Sequence, residues 1–558
     1  MRGWNSKAWE WRNVTENVAC RPQHMYSPKS KLELIGAVKF AHEHNLPVRV
    51  AALGHSTSSL VPTTGVLIMT DNLQQIKVNE KKQTVWFESG VSIMQLEAEL
   101  RKVGLCVPHS VLSREFFWVG CQSTNSHGSG IKYGGMNHFL IHADILDSEG
   151  IMRRYVKAGH KIEDEDTAAK NEAEGRPDIF HAVMSPLGMM GVIYAVTLQA
   201  EPIYKVKVTD IEIPFALDQG IPDDLRKLVY EKEAVEFNWF LGDKLWIHYT
   251  EPTKEELTMC ACVSCCGCAC ASAFCGCCAS DTKQGCLAVK DSWERLNEAF
   301  KTGAGQILLL PMLQHPHTTP LFTKFASASI SAGTPSSPFQ QVRWVPDAVH
   351  IMHLFYGTDI GVEFLEFGFQ CDDDWNNVHQ AWKVAVNKLR EYNAKGKYPI
   401  NALIQSRFTG RNDALLSPHN LKQEVEYATA YQKTPAKPTV ICWIELVTFC
   451  KEGGASKDYE DYSKEVGQAW MKLSGHPHPH WAKRFKYIPG IIDHIHRVFR
   501  ETNNGIERFL AIRDELNVDP HNRFVNPYLD DLFFAPRRSR HASVTEVEIK
   551  TTGPSTAS

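Results

Sequence analysis

The chain has 558 residues, 43% hydrophobic and 22% charged, with 60 Lys and Arg against 64 Asp and Glu for a net charge of -4. At about 150 residues per domain this length makes two to four domains with a large core and room for an enclosed pocket. The composition excludes a disordered chain, a disulfide-stapled miniprotein and a surface basic enough to track a phosphate backbone, so nucleic acid is not an expected partner.

The first twenty residues have neither an apolar stretch nor a small-residue cleavage site, so no secretory signal is expected and the body should meet a reducing or neutral compartment. The Asn13-Val14-Thr15 sequon has meaning only in a secretory compartment. Ser30 and Glu33 form a capping box ahead of Leu32, Leu34, Ile35, Val38 and Ala41, which predicts a helix ending near Asn45-Leu46-Pro47. Strands follow at 48–53, 65–70 and 84–89. Ser92 with Gln95 caps a second helix, which runs through Leu96 and Leu100 to a C-cap at Gly104. Residues 119–135 read as a Gly/Ser loop, 141–156 as a hairpin turned at Asp147 to Gly150, and 191–199 as a strand. This alternation predicts an α+β or α/β domain.

From about 203 the segments lengthen, and the Gly242-Asp243 turn inside 237–250 predicts an antiparallel hairpin. A sheet-rich domain runs from there to about 475, interrupted by a Cys-rich segment and by a Pro/Ser/Thr stretch at 311–337. The stretch that follows is apolar and aromatic, and 536–558, basic and then Ser/Thr-rich, is expected to be a disordered tail. Nine of the 16 cysteines lie between Cys260 and Cys278, and the other seven, without the spacing of a disulfide framework, are expected to be reduced. The run 257–280 has no charge and is long enough to span about 30 Å as a helix, though its Cys, Ala, Ser and Gly carry little apolar weight. Clustered cysteines there suit S-palmitoylation and peripheral membrane anchoring. A metal or redox role and a disordered insertion stay open, although the crowded C-C-x-C-x-C spacing and the lack of an internal His count against a zinc site.

The strand at 48–53 delivers Gly54-His55-Ser56 into a turn continued by Ser58 and Ser59, whose backbone N–H groups suit a pyrophosphate. No G-x-G-x-x-G and no P-loop is present, so an ordinary Rossmann or triphosphatase site is not supported, and no metal-ligand set is assigned.

Order and spacing say more. VRVAALGHSTSSL, VWFESGVSIMQLEAELRKVGL, VGCQSTNSHGSGIKYGG and FHAVMSPLGMMGVIYAVTLQ are followed far downstream by YPINALIQSRFTGRNDALLSP, HPHWAKRF and VDPHNRFVNPYLDDLF. Together they resemble the vanillyl-alcohol-oxidase type flavoproteins, and within them the aldonolactone oxidases. The resemblance implies a two-domain α+β flavoprotein. Its FAD-binding domain would be 1–202, completed by about 476–535, and an antiparallel cap domain at 203–475 would carry the Cys-rich insertion. It implies that His55 bonds covalently to the 8α-methyl of FAD, a reaction open to a neutral imidazole. Gly54, Ser56, Ser58 and Ser59 would cradle the pyrophosphate. Ser123, Ser126, His127, Gly128 and Gly130, with Gly188, Gly191 and Ile193, would wrap the cofactor by backbone contacts.

Arg407 and Lys483 match family cations that face the substrate, where they would stabilise charge developing as hydride leaves a carbinol carbon for flavin N5. Three positions depart from the pattern. Gln405 stands where the family often has Glu, two residues before the arginine, and cannot take a proton as a carboxylate can. Ala52 and Leu53 replace glycines ahead of Gly54, and Ser126-His127 stands for the usual T-H pair. Glu366 in FLEFGF resembles an E-Y-x-x-P element and is a pocket candidate. The implied reaction oxidises a sugar-acid 1,4-lactone to an ascorbate-type product, with oxygen returning as hydrogen peroxide. An alditol (polyol) oxidase and a lactone dehydrogenase using another acceptor stay open, as does a flavin-binding or membrane scaffold without turnover. The insertion falls where some lactone oxidases carry a membrane-associated segment, which implies endoplasmic reticulum or mitochondrial membrane, with cytoplasm as the alternative.

Overall fold

Ser30 opens the helix Lys31–Glu43, its hydroxyl accepting from Glu33 N. The Glu33 carboxylate, expected to reach the cap residue's own N–H, accepts instead from Lys29 N one residue earlier, at 2.8 Å. The computed structural model describes residues 10–161, 170–257, 315–321, 323–324, 339–349, 361–417, 419–420, 438–450 and 454–538. The Cys-rich run after Leu257, with Cys286, most of 311–337 and the tail after 538 lie outside the described residues. The described start of the expected tail continues the preceding fold: Arg537 pairs with Asp514 and Arg538 with Asp530. None of the six described cysteines is in a disulfide. Among the described residues no helix is long and apolar enough to cross a membrane.

The N-terminal strands are β1 (Trp11–Arg12), β2 (Ala19–Cys20), β3 (His24–Tyr26), β4 (Val48–Ala51), β5 (Val66–Met69), β6 (Ile76–Asn79), β7 (Thr84–Glu88), β8 (Leu105–Cys106), β9 (Leu140–Leu146), β10 (Met152–Val156), β11 (Val192–Gln199) and β12 (Glu201–Pro202). β3, β5 and β4 pair in parallel with β5 central, and all four β5 residues are buried, as a doubly covered strand requires. A five-stranded antiparallel sheet runs β10-β9-β11-β7-β6. Helix 31–43, the parallel sheet and β9 and β11 share one cluster that includes Leu34, Val38, Val66, Ile68, Leu146 and Val192. The β9–β10 hairpin turns where predicted, with the Asp147 carboxylate accepting from Glu149 N and Ile151 N. Ser92 and Gln95 complete both halves of their capping box. The expected loop at 119–135 begins as helix Trp118–Ser123, because Trp118, Val119, Cys121 and Gln122 bury themselves at helical spacing.

The remaining strands are β13 (Lys205–Pro214), β14 (Ala234–Trp239), β15 (Lys244–Pro252), β16 (Phe339–Trp344), β17 (Gly361–Gln370), β18 (Leu403–Thr409), β19 (Ile441–Cys450) and β20 (His478–Pro479). They form one antiparallel sheet in the order β16-β13-β15-β14-β18-β19-β17-β20, with the Gly242-Asp243 turn joining β14 to β15. Helices Asn376–Ala394 and Lys457–Trp470 cover one face: Trp382 Nε1 donates to Ser406 Oγ (3.0 Å), and the Trp470 ring meets Phe367 and Phe369 edge-on. Alternation then sends Gln405, Arg407, Glu366 and Glu445 to the opposite face, which is also buried.

That polar face is closed by the 126–130 loop. Gly130 N donates to Phe408 O (2.6 Å), and Ser129 Oγ accepts from Phe408 N and donates to Val235 O. Arg49, buried on β4, gathers the remaining loops by donating to the carbonyls of Leu60 (2.8 Å), Phe524 (2.6 Å) and Leu187 (2.9 Å). Arg49→Met should strand these carbonyls and cost about 3 kcal/mol or more, read as a lower denaturant midpoint at unchanged m-value.

Candidate active site

β4 delivers Gly54 at φ +73°, where an added Cβ would come within 3.1 Å of the Trp11 ring and 3.3 Å of Asn13 Cα, so the turn needs glycine. The His55 turn is held from two sides. On one, Val14 N donates to Gly54 O (2.8 Å), Asn13 Nδ2 to Ser56 O (3.0 Å) and Asn17 Nδ2 to Thr57 O (3.3 Å). On the other, Ala482 O accepts from Thr57 N (2.9 Å), Ser58 N (3.3 Å) and Ser56 Oγ (3.0 Å), and Ser58 Oγ donates to Trp481 O (2.8 Å). The backbone N–H groups of Thr57 and Ser58, in the turn expected to offer such groups to a pyrophosphate, are thus donated to Ala482 O, and the Ser56 and Ser58 hydroxyls also turn toward protein carbonyls. Asn13 is 2% exposed and its amide is spent on Ser56 O, Thr15 and Asn17, so the sequon cannot carry a glycan in the folded chain.

The His55 ring packs 4.4 Å from the Phe116 ring, and burial pushes its pKa down to about 3, which keeps the imidazole neutral. His55, Ser59, Ser123, Ser126 and Gly188 keep partial exposure among buried neighbours. Leu187 N donates to Ser123 O (3.1 Å), and Gly188 lies against the Arg49 guanidinium, so these segments are held together. Small side chains around exposed backbone beside a neutral histidine fit a long, flat cofactor such as FAD. Gly191 (φ +127°) is packed deeper, its Cβ direction 2.2 Å from Leu146 O, and Ile193 pairs with Ile145.

The polar side of the large sheet meets the 126–130 loop and, through Ala482, the His55 turn. The Arg407 guanidinium donates to His127 O (3.2 Å) and Glu366 Oε1 (2.9 Å) and lies 3.5 Å from Glu445 Oε2. Glu445 Oε1 is 2.7 Å from Lys483 Nζ, which sits 3.8 Å above the Phe364 ring. Gln405 Nε2 donates to Glu236 Oε2 (3.2 Å). Burial alone would raise the Glu366 carboxyl, but Arg407 and His127 outweigh it and hold the group well below the usual carboxylate range. His127 stacks on Trp443 at 4.3 Å, with Nδ1 3.0 Å from Gly128 O and Nε2 3.4 Å from Glu366 Oε1. Gly128 N in turn donates to His109 Nε2 (3.1 Å). His127, Glu366 and His480 bring their ligand atoms within 4.8 Å of one another. The Arg407 guanidinium already sits on that Glu366 oxygen and supplies the positive charge a metal would bring, so the trio forms part of an electrostatic cluster.

The structure thus brings together Arg407, Lys483, Gln405 and Glu366 from the sequence reading, and adds Glu236, Glu445, Trp443 and His480. His127, expected to act through its backbone, also turns its ring into this cluster. The signal for the added acids was a lone carboxylate in an otherwise apolar strand, in AVEFNW and ICWIELVTFC.

Two cations clamped by carboxylates, next to a turn and loops that fit FAD, suit a flavin-linked oxidoreductase of the vanillyl-alcohol-oxidase type, and the fold agrees. A solvent-stable cholesterol oxidase matches with a TM-score of 0.71 at 16% identity, covering 94% of this chain and 98% of that one. The FAD binding domain profile matches residues 22–155, and that of D-arabinono-1,4-lactone oxidase matches 196–532. The chain belongs to the D-arabinono-1,4-lactone oxidase family. The L-gulonolactone oxidase of Scyliorhinus torazame is 21% identical over 541 residues, 94% of this chain and 98% of that protein. The L-gulono-1,4-lactone dehydrogenase of Mycobacterium tuberculosis is 23% identical over 523 residues, 93% of this chain and 97% of that protein.

Burial sets four histidines, His55, His109, His419 and His480, at about 3, against 6.5 when exposed. A depressed histidine adds stability above its unfolded pKa and loses it as pH falls toward the folded value. Stability should therefore fall steadily from pH 6.5 toward 3, and a denaturation midpoint flat over that window would contradict this assignment.

Proposed function

We propose that the chain is an FAD-dependent oxidase of a sugar-acid 1,4-lactone, using oxygen and giving an ascorbate-type product and hydrogen peroxide. The observation that supports this most is the linked pair of cations, Arg407 and Lys483, joined through Glu445. FAD, when bound, supplies the acceptor for hydride from the carbinol carbon. Arg407 and Lys483 bind and orient the lactone oxygens and stabilise the charge that develops on the reacting oxygen. Glu366 and Glu445 keep both cations in place without moving them during the reaction. His55, neutral by burial, is the residue we propose to carry the flavin covalently, with the 54–59 turn and the 123–130 loop holding its remainder.

The first test is acid precipitation of the purified yellow protein. Colour is expected in the pellet, and in the supernatant for His55→Ala. Colour released from the unaltered chain would remove the tether. A panel of aldonolactones and polyols, run with oxygen and with an artificial acceptor, then tests the substrate class: lactones should bleach the flavin fastest, and oxygen should restore it. Arg407→Ala and Lys483→Ala should each slow anaerobic flavin reduction by about 10²- to 10³-fold. Unchanged rates in both would refute the mechanism.

A further inference from the structure

Carbinol oxidation needs a group to take the hydroxyl proton, and Gln405 cannot do so. Four buried carboxylates stand on the polar face of the large sheet. Glu366 is tied to Arg407 at 2.9 Å and to His127 at 3.4 Å, and an anion stabilised in this way is a weak base. Glu445 lies between Arg407 (3.5 Å) and Lys483 (2.7 Å). Asp210 is engaged with His248 Nδ1 at 2.8 Å. Glu236 differs. Among the described residues no cation lies within ion-pair distance of it, and Gln405 Nε2 donates to its Oε2 at 3.2 Å.

The register fixes its surroundings. On β14, Glu236 pairs directly with Arg407 of β18 on one side and with His248 of β15 on the other, and Asp210 of β13 is opposite His248. We propose that Glu236, presented by Gln405, is the proton acceptor of this site, doing from the neighbouring strand what a glutamate at position 405 would do. The inference rests on the carbinol-oxidising function proposed above. In the step, the substrate O–H bond breaks and its proton passes to a Glu236 oxygen. The C–H hydrogen leaves with its electron pair for the oxidised flavin, so the carbinol becomes a carbonyl and the flavin gains two electrons. Burial raises the Glu236 carboxyl above the ordinary range, opposed by His248 and Arg407, which makes it the better base of the set. The charged and titratable groups facing it are Arg407 on β18 and His248 on β15, with Asp210 one strand further. His248 is a positioning residue, fixed by Asp210 and acting through Glu236.

The test is anaerobic reduction of the bound flavin by the best lactone across pH, in wild type, E236Q, H248F and E236Q/Q405E. Wild type should show a limb that rises with pH. E236Q should lose that limb and slow reduction by about 10²- to 10⁴-fold, while keeping the flavin spectrum and thermal midpoint of the folded holoenzyme. H248F should move the limb to higher pH, and the E236Q/Q405E double variant should restore a limb by returning a carboxylate to the amide's place. Difference infrared spectra of the protein without substrate should show a titrating carboxyl band that E236Q removes. E236Q with an unchanged pH profile, or a titrating band that persists, would overturn the inference. If no aldonolactone or polyol reduces the wild-type flavin, the functional reading has failed first and the inference falls with it.

Discussion

A guanidinium buried on the polar face of the large sheet, beneath the 126–130 loop, imposes the strongest constraint on this molecule. Arg407 is 7% exposed, and an unpaired charge at such depth would cost several kcal/mol. Two carboxylates and a backbone carbonyl meet it, and each has a second engagement. Glu366 reaches the ring of His127, Glu445 reaches Lys483, and the carbonyl belongs to the loop that closes the polar face. Removing one partner would leave the others buried and uncompensated, which is why such networks fail together. The opposite face of the same strands is aromatic and packed by two helices, so one run of alternating residues serves both a core and a charge cluster.

Much of this was legible in the sequence where local physics decides. The capped helices, the hairpin at Asp147 and the turn at Gly242 follow from side chains that satisfy nearby backbone groups or from turn geometry, and no distant partner is needed. Where the outcome depends on what covers a segment, the reading went astray: 118–123 is helical because Trp118 and Cys121 find a core, and the Glu33 carboxylate takes Lys29 N in place of the cap residue's own N–H. Arg407, Lys483 and Gln405 were found through family resemblance. Glu236 and Glu445 were not, because what makes them part of the site is cross-strand register, and register between β14, β18 and β19 joins residues as far apart in sequence as Glu236 and Arg407.

Burying a polar sheet face also changes what the fold can tolerate. On an apolar face a lost methylene leaves a cavity of graded cost. Here a single altered register would bring Ser406 and Phe408 into the charge cluster and Arg407 among the helices. The bonds from Gly130 and Ser129 to Phe408 therefore stabilise more than a loop, since they fix β18 against sliding.

The carbonyl of Ala482 takes hydrogen bonds from Ser56, Thr57 and Ser58 and is covalently next to Lys483. The histidine turn and the lysine are thereby joined through one peptide unit, so a shift of either backbone strains three hydrogen bonds at once and is passed on to the other.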